Sequence, residues 1–273
     1  MSEFEAMGEV LDRSSREFAD QFWSQAKVIQ IYKGEILTKD GQILFQSSSN
    51  YPKEITKYYL GEKAGVHYFA VNREFTGTPM TLRQLAPEAN ELFIAIAMQA
   101  QALINWHETH TNCARCGAPT KVVSHGWIRE CEVDGAQHFP RTDPAVIVLV
   151  KDRSNRLLLG RQTVWAEGKF SNFAGFVEPG ENLEGAIRRE IKEETGLEVR
   201  DIKYLASQPW PFPASIMLAF SAITDTPELA KADGVEIAEL KWFSKKELLE
   251  SEIILPDKLS VSRKMITYWL ENE

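Results

Sequence analysis

Cysteine is scarce in this chain. Three residues among 273 are too few for the disulfide framework of a small extracellular domain. No apolar run approaches the length that crosses a bilayer, and the opening segment MSEFEAMGEV is acidic and lacks the apolar stretch of a secretion signal. The expectation is a cytoplasmic protein. Positive charge is not in excess either: 31 basic against 39 acidic residues leave a net charge of -8, which argues against a general nucleic-acid binder, DNA included, but leaves room for a local basic pocket. No solenoid period is visible. What remains is ordinary globular composition, 44% hydrophobic and 26% charged, with length for one large domain or two.

The chain is organised around Gly175 to Leu197, GFVEPGENLEGAIRREIKEETGL. Asn182 is a good helix N-cap and Gly196 suits the left-handed position that ends a helix, so a helix is expected over 183–195. At about 100° per residue, Leu183, Ala186, Ile187 and Ile191 form its apolar side, with Glu190, Glu193 and Glu194 on or beside it. Three carboxylates are thus expected to face inward. Packing them at the edge of a core costs several kcal/mol unless cations neutralise them or one stays protonated, and hard divalent metals meet that need. The bland alternative, a solvated acidic stripe, fits poorly because acid at a helix C-terminal end opposes the dipole.

Gly175, Glu181, Arg189, Glu190, Ile191, Glu193, Glu194, Gly196 and Leu197 match every fixed position of G-x5-E-x7-R-E-U-x-E-E-x-G-U, where U is a bulky aliphatic residue. The stretch therefore resembles the signature of the Nudix hydrolases. The resemblance implies a loop-helix-loop that binds magnesium or manganese and splits a diphosphate linked to a nucleoside. Glu190, Glu193 and Glu194 are then the catalytic metal ligands, with Glu181 a further candidate. Arg189 lies one turn before Glu193, where an ion pair can hold that carboxylate in place.

Upstream, residues 1–25 read as a polar amphipathic helix, and 27–46 alternate apolar and polar positions around Asp40-Gly41, a hairpin signal. Val66–Val71 reads as a strand and Leu82 to Trp106 as one long helix. This half contains no acidic cluster like that of the box, and its expected role is structural or dimerising. Next, Cys113 and Cys116 form a CxxC knuckle, and Cys131 follows at a spacing suited to the second half of a zinc ribbon. The position for a fourth ligand holds Asp134, with His138 as the alternative; either completes a tetrahedron around zinc, though more weakly than a thiolate. A ribbon without metal, packed around Trp127 and Phe139, is the competing reading. AVIVLV from Ala145 is a strand buried on both faces; 156–160 and 172–176 supply further strands. Ser207 to Ser215, SQPWPFPAS, is expected to be an extended loop stiffened by three prolines, with Trp210 and Phe212 offering aromatic surface to a flat ligand.

That last segment, following a Nudix box, resembles the motif that sets NADH pyrophosphatases apart, and the resemblance covers Leu82 to the C-terminus. It implies an α+β architecture: a rudimentary Nudix-like N-terminal domain over 1–108, a zinc-ribbon-like segment over 109–141, and a catalytic Nudix domain over 142–273 with a mixed β-sheet between α-helices. It implies hydrolysis of NADH or NAD to nicotinamide mononucleotide and AMP, extending to NAD caps on RNA, by a homodimer using two or three Mg2+ or Mn2+ per site and a structural zinc. Glu236 matches an additional metal ligand. Phe139 and Phe176 match aromatics that stack on adenine across the dimer. Ala174, Gln208, Pro209, Trp210, Pro211, Phe212, Pro213, Ser215, Ser262 and, more weakly, Arg83 match substrate contacts. The family also places a substrate-contacting glutamate five residues before the third cysteine, where this chain has Gly126. Two readings compete: a broader dinucleotide or ADP-ribose pyrophosphatase, against which the Ser207 segment argues, and a nucleotide-sensing regulator, against which the complete set of box carboxylates argues.

Overall fold

The computed structural model describes residues 11–85 and 90–272. Of these, Asp143–Pro209 and Ser215 onward form one compact unit, and those up to Thr142 together with Trp210–Ala214 form the other.

The first half of the chain builds a sheet from β1 (Lys27–Tyr32), β2 (Glu35–Lys39), β3 (Gln42–Ile43), β4 (Gln46–Ser47), β5 (Lys57–Lys63), β6 (Val66–Asn72) and β7 (Thr78–Thr81). The hairpin expected at Asp40-Gly41 joins β2 to β3; both residues have positive φ, 52° and 75°, as a type I′ turn requires. The helix expected in the first 25 residues is instead a 3-10 helix, Arg16–Gln25, with Ala19 buried, Trp23 edge-on to Phe69 and Phe22 stacked on His67; the first ten residues lie outside the described ones. The long helix expected from Leu82 is α1 (Leu82–Leu85) and a separate α2 (Glu91–Thr109). Asn90 starts α2 anew, its side chain accepting from the Leu92 amide. The ribbon follows as β8 (Thr120–Val123), β9 (Ile128–Cys131) and β10 (Gln137–His138).

The second half comprises β11 (Asp143–Lys151), β12 (Leu157–Gln162), β13 (Phe173–Phe176), α3 (Leu183–Thr195), β14 (Arg200–Trp210), β15 (Ser215–Ile223), β16 (Ile237–Phe243), α4 (Lys245–Glu250) and α5 (Val261–Asn272). Strand order is β14-β15-β11-β12-β16, with β13 on β11. The continuous apolar run of β11 is explained by burial on both faces. Val146, Val148 and Val150 pack with Ala186, Ile187 and Ile191 of α3, while Ile147 and Leu149 pack with Val261, Met265, Ile266 and Trp269 of α5.

The two halves share a pairing pattern. β11 is parallel to β15 and antiparallel to β12 and β13, as β1 is parallel to β6 and antiparallel to β2 and β4. They differ where chemistry is expected: between β4 and β5 lies only the short 3-10 turn Ser48–Asn50, whereas between β13 and β14 lies α3. One expectation is corrected here. Ser207 to Trp210 belong to strand β14, and the turn is confined to residues 211–214. Pro209 is tolerated because β14 is an edge strand, where a missing N–H costs no ladder bond.

Candidate active site

The sequence fixes α3 locally. Asn182 Oδ1 accepts from the Gly185 amide at 2.7 Å, and Gly196 takes the left-handed conformation at φ 72°. Of the three carboxylates expected to face inward, Glu194 is buried and Glu190 half-buried, but Glu193 is exposed. Its position on the wheel lies at the margin of the apolar stripe, and no other element among the described residues covers it.

Arg189 ties the loop to the helix. Its Nε and Nη2 donate to the two carboxylate oxygens of Glu181 at 2.7 and 2.9 Å, Nη2 also to the Phe176 carbonyl at 2.9 Å, and Nη1 to Glu190 at 2.8 Å and Glu193 at 3.1 Å. The expected pair with Glu193 is therefore one of several. The guanidinium bonds to Glu181 hold that carboxyl down to about 2. Arg189 thus positions three acids at once and is a positioning residue.

Glu194 is the unusual group. It is 4% exposed, and its Oε2 has no hydrogen-bond partner among the described residues. Burial first, and then the charges of Glu190, Glu236, Asp233 and Glu193, push its carboxyl up to about 8. Burial also raises Glu190, against the pull of Arg189. A buried oxygen without a donor, among other acids, is what a divalent cation satisfies. The charges of Glu190, Glu236, Asp233 and Glu193 all reach that carboxyl, the acidic surroundings that such an ion would neutralise.

Glu236 is held by a residue that the sequence reading missed. Asp233 accepts backbone amides from Val235, Ile237 and Glu236 at 3.1, 2.8 and 3.1 Å, fixing the loop before β16. Partial loss of water works against ionisation of this exposed carboxyl, but the three amide bonds keep it low. The Asp233-Gly234 pair was the available signal.

The remaining candidates divide. Phe176, beside half-buried Ala174, is exposed, as is Phe139, which therefore does not serve as the core of a ribbon packed without metal. Trp210 and Phe212 meet edge to face at 4.9 Å, and the Arg83 guanidinium lies over both rings. Pro209 and Pro213 are exposed, whereas Pro211 and Ser215 are buried. Gln208 and Ser262 turn inward. The Gln208 amide donates to the Leu259 carbonyl at 2.7 Å and accepts from the Val261 amide at 2.8 Å. Ser262 Oγ accepts from the side-chain amide of Asn172 at 3.0 Å and lies 2.8 Å from Ser171 Oγ. Both side chains thus fasten the start of α5.

In the ribbon, Cys113, Cys116, Cys131 and Asp134 bring one donor atom each to within 4.8 Å of one another. The two knuckles repeat the same local geometry. Gly117 and Gly135 follow them at positive φ, 75° and 69°, and donate to the carbonyls of Cys113 and Cys131. Amides of Arg115 and Val133 point at the sulfurs of Cys113 and Cys131, both at 3.4 Å. Burial opposes ionisation of Cys113, but amide donors and His138 bring the thiol down to about 6. His138 Nε2 lies 3.2 Å from Cys113 Sγ. Three thiols and a carboxylate in this arrangement fit zinc.

Gly126 has a structural reason. Its φ is 99°, and a β-carbon there would stand 2.6 Å from Tyr58 Cδ1 and 3.1 Å from Tyr58 Cα. Its carbonyl accepts from His107 Nε2 at 2.8 Å, while the His107 ring stacks on Tyr58. No side chain can occupy this position without moving that packing.

A NUDIX domain model matches residues 141–269, and an NADH pyrophosphatase zinc ribbon domain model matches residues 108–139. NAD-capped RNA hydrolases NudC of Mycobacterium bovis and Mycobacterium tuberculosis are each 36% identical, over 94% of this chain and 90% of theirs. NAD-capped RNA hydrolase NUDT12 of Homo sapiens is 33% identical, over 64% of this chain and 41% of its own.

Proposed function

The chain belongs to the Nudix hydrolases, in the branch that carries the NADH pyrophosphatase zinc ribbon, and on that premise we propose that it hydrolyses the diphosphate of NADH and NAD. The products are nicotinamide mononucleotide and AMP, and the same bond cleavage removes NAD caps from RNA, the activity for which the mycobacterial relatives are named. The observation that carries this reading is Glu194, buried with an oxygen lacking any donor among the described residues, beside Glu190 on a helix that matches the Nudix box throughout.

Glu190, Glu193, Glu194 and Glu236 would hold magnesium or manganese. When bound, such ions neutralise diphosphate charge, polarise phosphorus and lower the pKa of an attacking water. The chain's own part is positioning and proton transfer. Arg189 keeps Glu190 and Glu193 turned toward each other, and Asp233 holds the backbone that carries Glu236. A glutamate of the box takes the proton of the water. Phe139 and Phe176 stack on adenine, and Trp210 and Phe212 supply a second aromatic wall. Gln208 and Ser262 contribute by holding α5. Zinc in the ribbon is structural. The domain limits 1–108, 109–141 and 142–273, a homodimer and a cytoplasmic location complete the reading.

Product analysis with NADH, NAD, ADP-ribose and NAD-capped RNA at equal concentration tests it. Nicotinamide mononucleotide and AMP from NADH or NAD are expected. Faster cleavage of ADP-ribose than of any of the other three would favour the broader pyrophosphatase reading.

A further inference from the structure

The turn at Pro211–Ala214 cannot hold itself. Pro209, Pro211 and Pro213 have no N–H, so the segment has few donors for its own carbonyls, and the Phe212 amide already goes to Trp210 at 2.8 Å. The missing donors come from α2. The side-chain amide nitrogen of Asn105 donates to the Pro211 carbonyl at 3.1 Å and to the Pro213 carbonyl at 3.0 Å, bracketing Phe212. Its orientation is fixed from the preceding helical turn, where buried Gln101 donates to Asn105 Oδ1 at 2.6 Å. Flipped, the amide would set its oxygen against two carbonyls and face Gln101 with a second donor.

The consequence concerns the rings. Phe212 and Trp210 are carried on this backbone, and Arg83 covers both at 4.5 and 5.0 Å from their centres. The bracket at residues 211 and 213 sets where Phe212 stands, and the edge-to-face contact passes that placement to Trp210. We propose that Asn105 is a positioning residue for this aromatic wall and thereby sets the preference for substrates with two flat rings over ADP-ribose. The inference rests on the NADH pyrophosphatase reading. It gives the N-terminal half of the chain a part in specificity that its lack of acidic clusters concealed.

The experiment measures steady-state kinetics of Asn105→Asp, Asn105→Ala and the unaltered enzyme on NADH and ADP-ribose in magnesium. The aspartate keeps the shape but faces two carbonyls with a carboxylate oxygen. KM for NADH should rise about tenfold with kcat changed less than about threefold, and the kcat/KM ratio of NADH over ADP-ribose should fall about tenfold. A general structural defect would lower both substrates together. Equal loss on both, or a ratio within about twofold of the unaltered enzyme in a folded variant, overturns the proposal. Should Asn105→Asp not fold, Asn105→Ala, which removes the donors without adding charge, is read by the same ratio. Failure of the unaltered enzyme to cleave NADH defeats the substrate reading and this inference with it, and is seen before any substitution is made.

Discussion

The carboxylate of Glu190 occupies the space that a β-carbon on residue 175 would fill. An ideal Cβ at Gly175 would stand 1.9 Å from Glu190 Cδ and 2.0 and 2.3 Å from its two oxygens. Glycine is required there by close approach, because β13 passes directly beneath the acid that α3 brings to it. Gly175→Ala should therefore displace Glu190 rather than unfold the chain, and lower turnover by at least about tenfold while the melting temperature falls only modestly. Turnover equal to that of the unaltered enzyme would show that Glu190 tolerates other positions.

Glu194→Gln should keep the fold and lower turnover by at least about a hundredfold, because a neutral amide is a poorer ligand for a hard cation and cannot take a proton. The buried oxygen lacking a donor is the reason to choose this residue. Near-normal turnover in the folded variant would remove Glu194 from the metal site.

Stability without metal should depend on pH in a direction set by the same group. The folded-state value of Glu194, about 8, lies above its ordinary value of 4.5, so the folded chain retains a proton that the unfolded chain releases between those limits. The contribution is fully present below pH 4.5 and is lost as pH rises through about 8, with a slope of up to roughly 1.4 kcal/mol per pH unit. Divalent ions must displace that proton, so the rise in melting temperature on adding magnesium should grow with pH. Melts of metal-free protein across this window check the sign, and Glu194→Gln should flatten the slope.

Replacing Phe139 or Phe176 by alanine should mainly raise KM, by the roughly 1–3 kcal/mol typical of a base stacked on an aromatic ring. Both rings are exposed, so neither loss should disturb a core. Steady-state kinetics on NADH and NAD with KM unchanged in either variant would contradict the stacking role.

Zinc bound by Cys113, Cys116, Cys131 and Asp134 should be stripped by acid or chelator more readily than from a four-thiolate ribbon. Asp134→Cys should retain it more firmly. Elemental analysis of protein purified without chelator decides occupancy; less than about a tenth of an equivalent, with full activity in magnesium, would show that the ribbon folds without metal.

Residue type and short spacing were enough to read the cap at Asn182 and the stop at Gly196, because each depends on neighbours within a few positions, and the unbroken apolar run of β11 called for cover on both faces that α3 and α5 supply. The Nudix box likewise gave the acids and the arginine that binds them. Tertiary structure alone decided which acids lose water: the helical period put Glu193 and Glu194 both near the apolar side, but the fold covers Glu194 and leaves Glu193 exposed. It also turned Gln208 onto the start of α5, pressed Gly126 against Tyr58, and brought Asn105 to carbonyls 106 and 108 positions away. Desolvation and hydrogen-bond completion depend on whatever distant segment packs against a residue, and no local pattern carries that information.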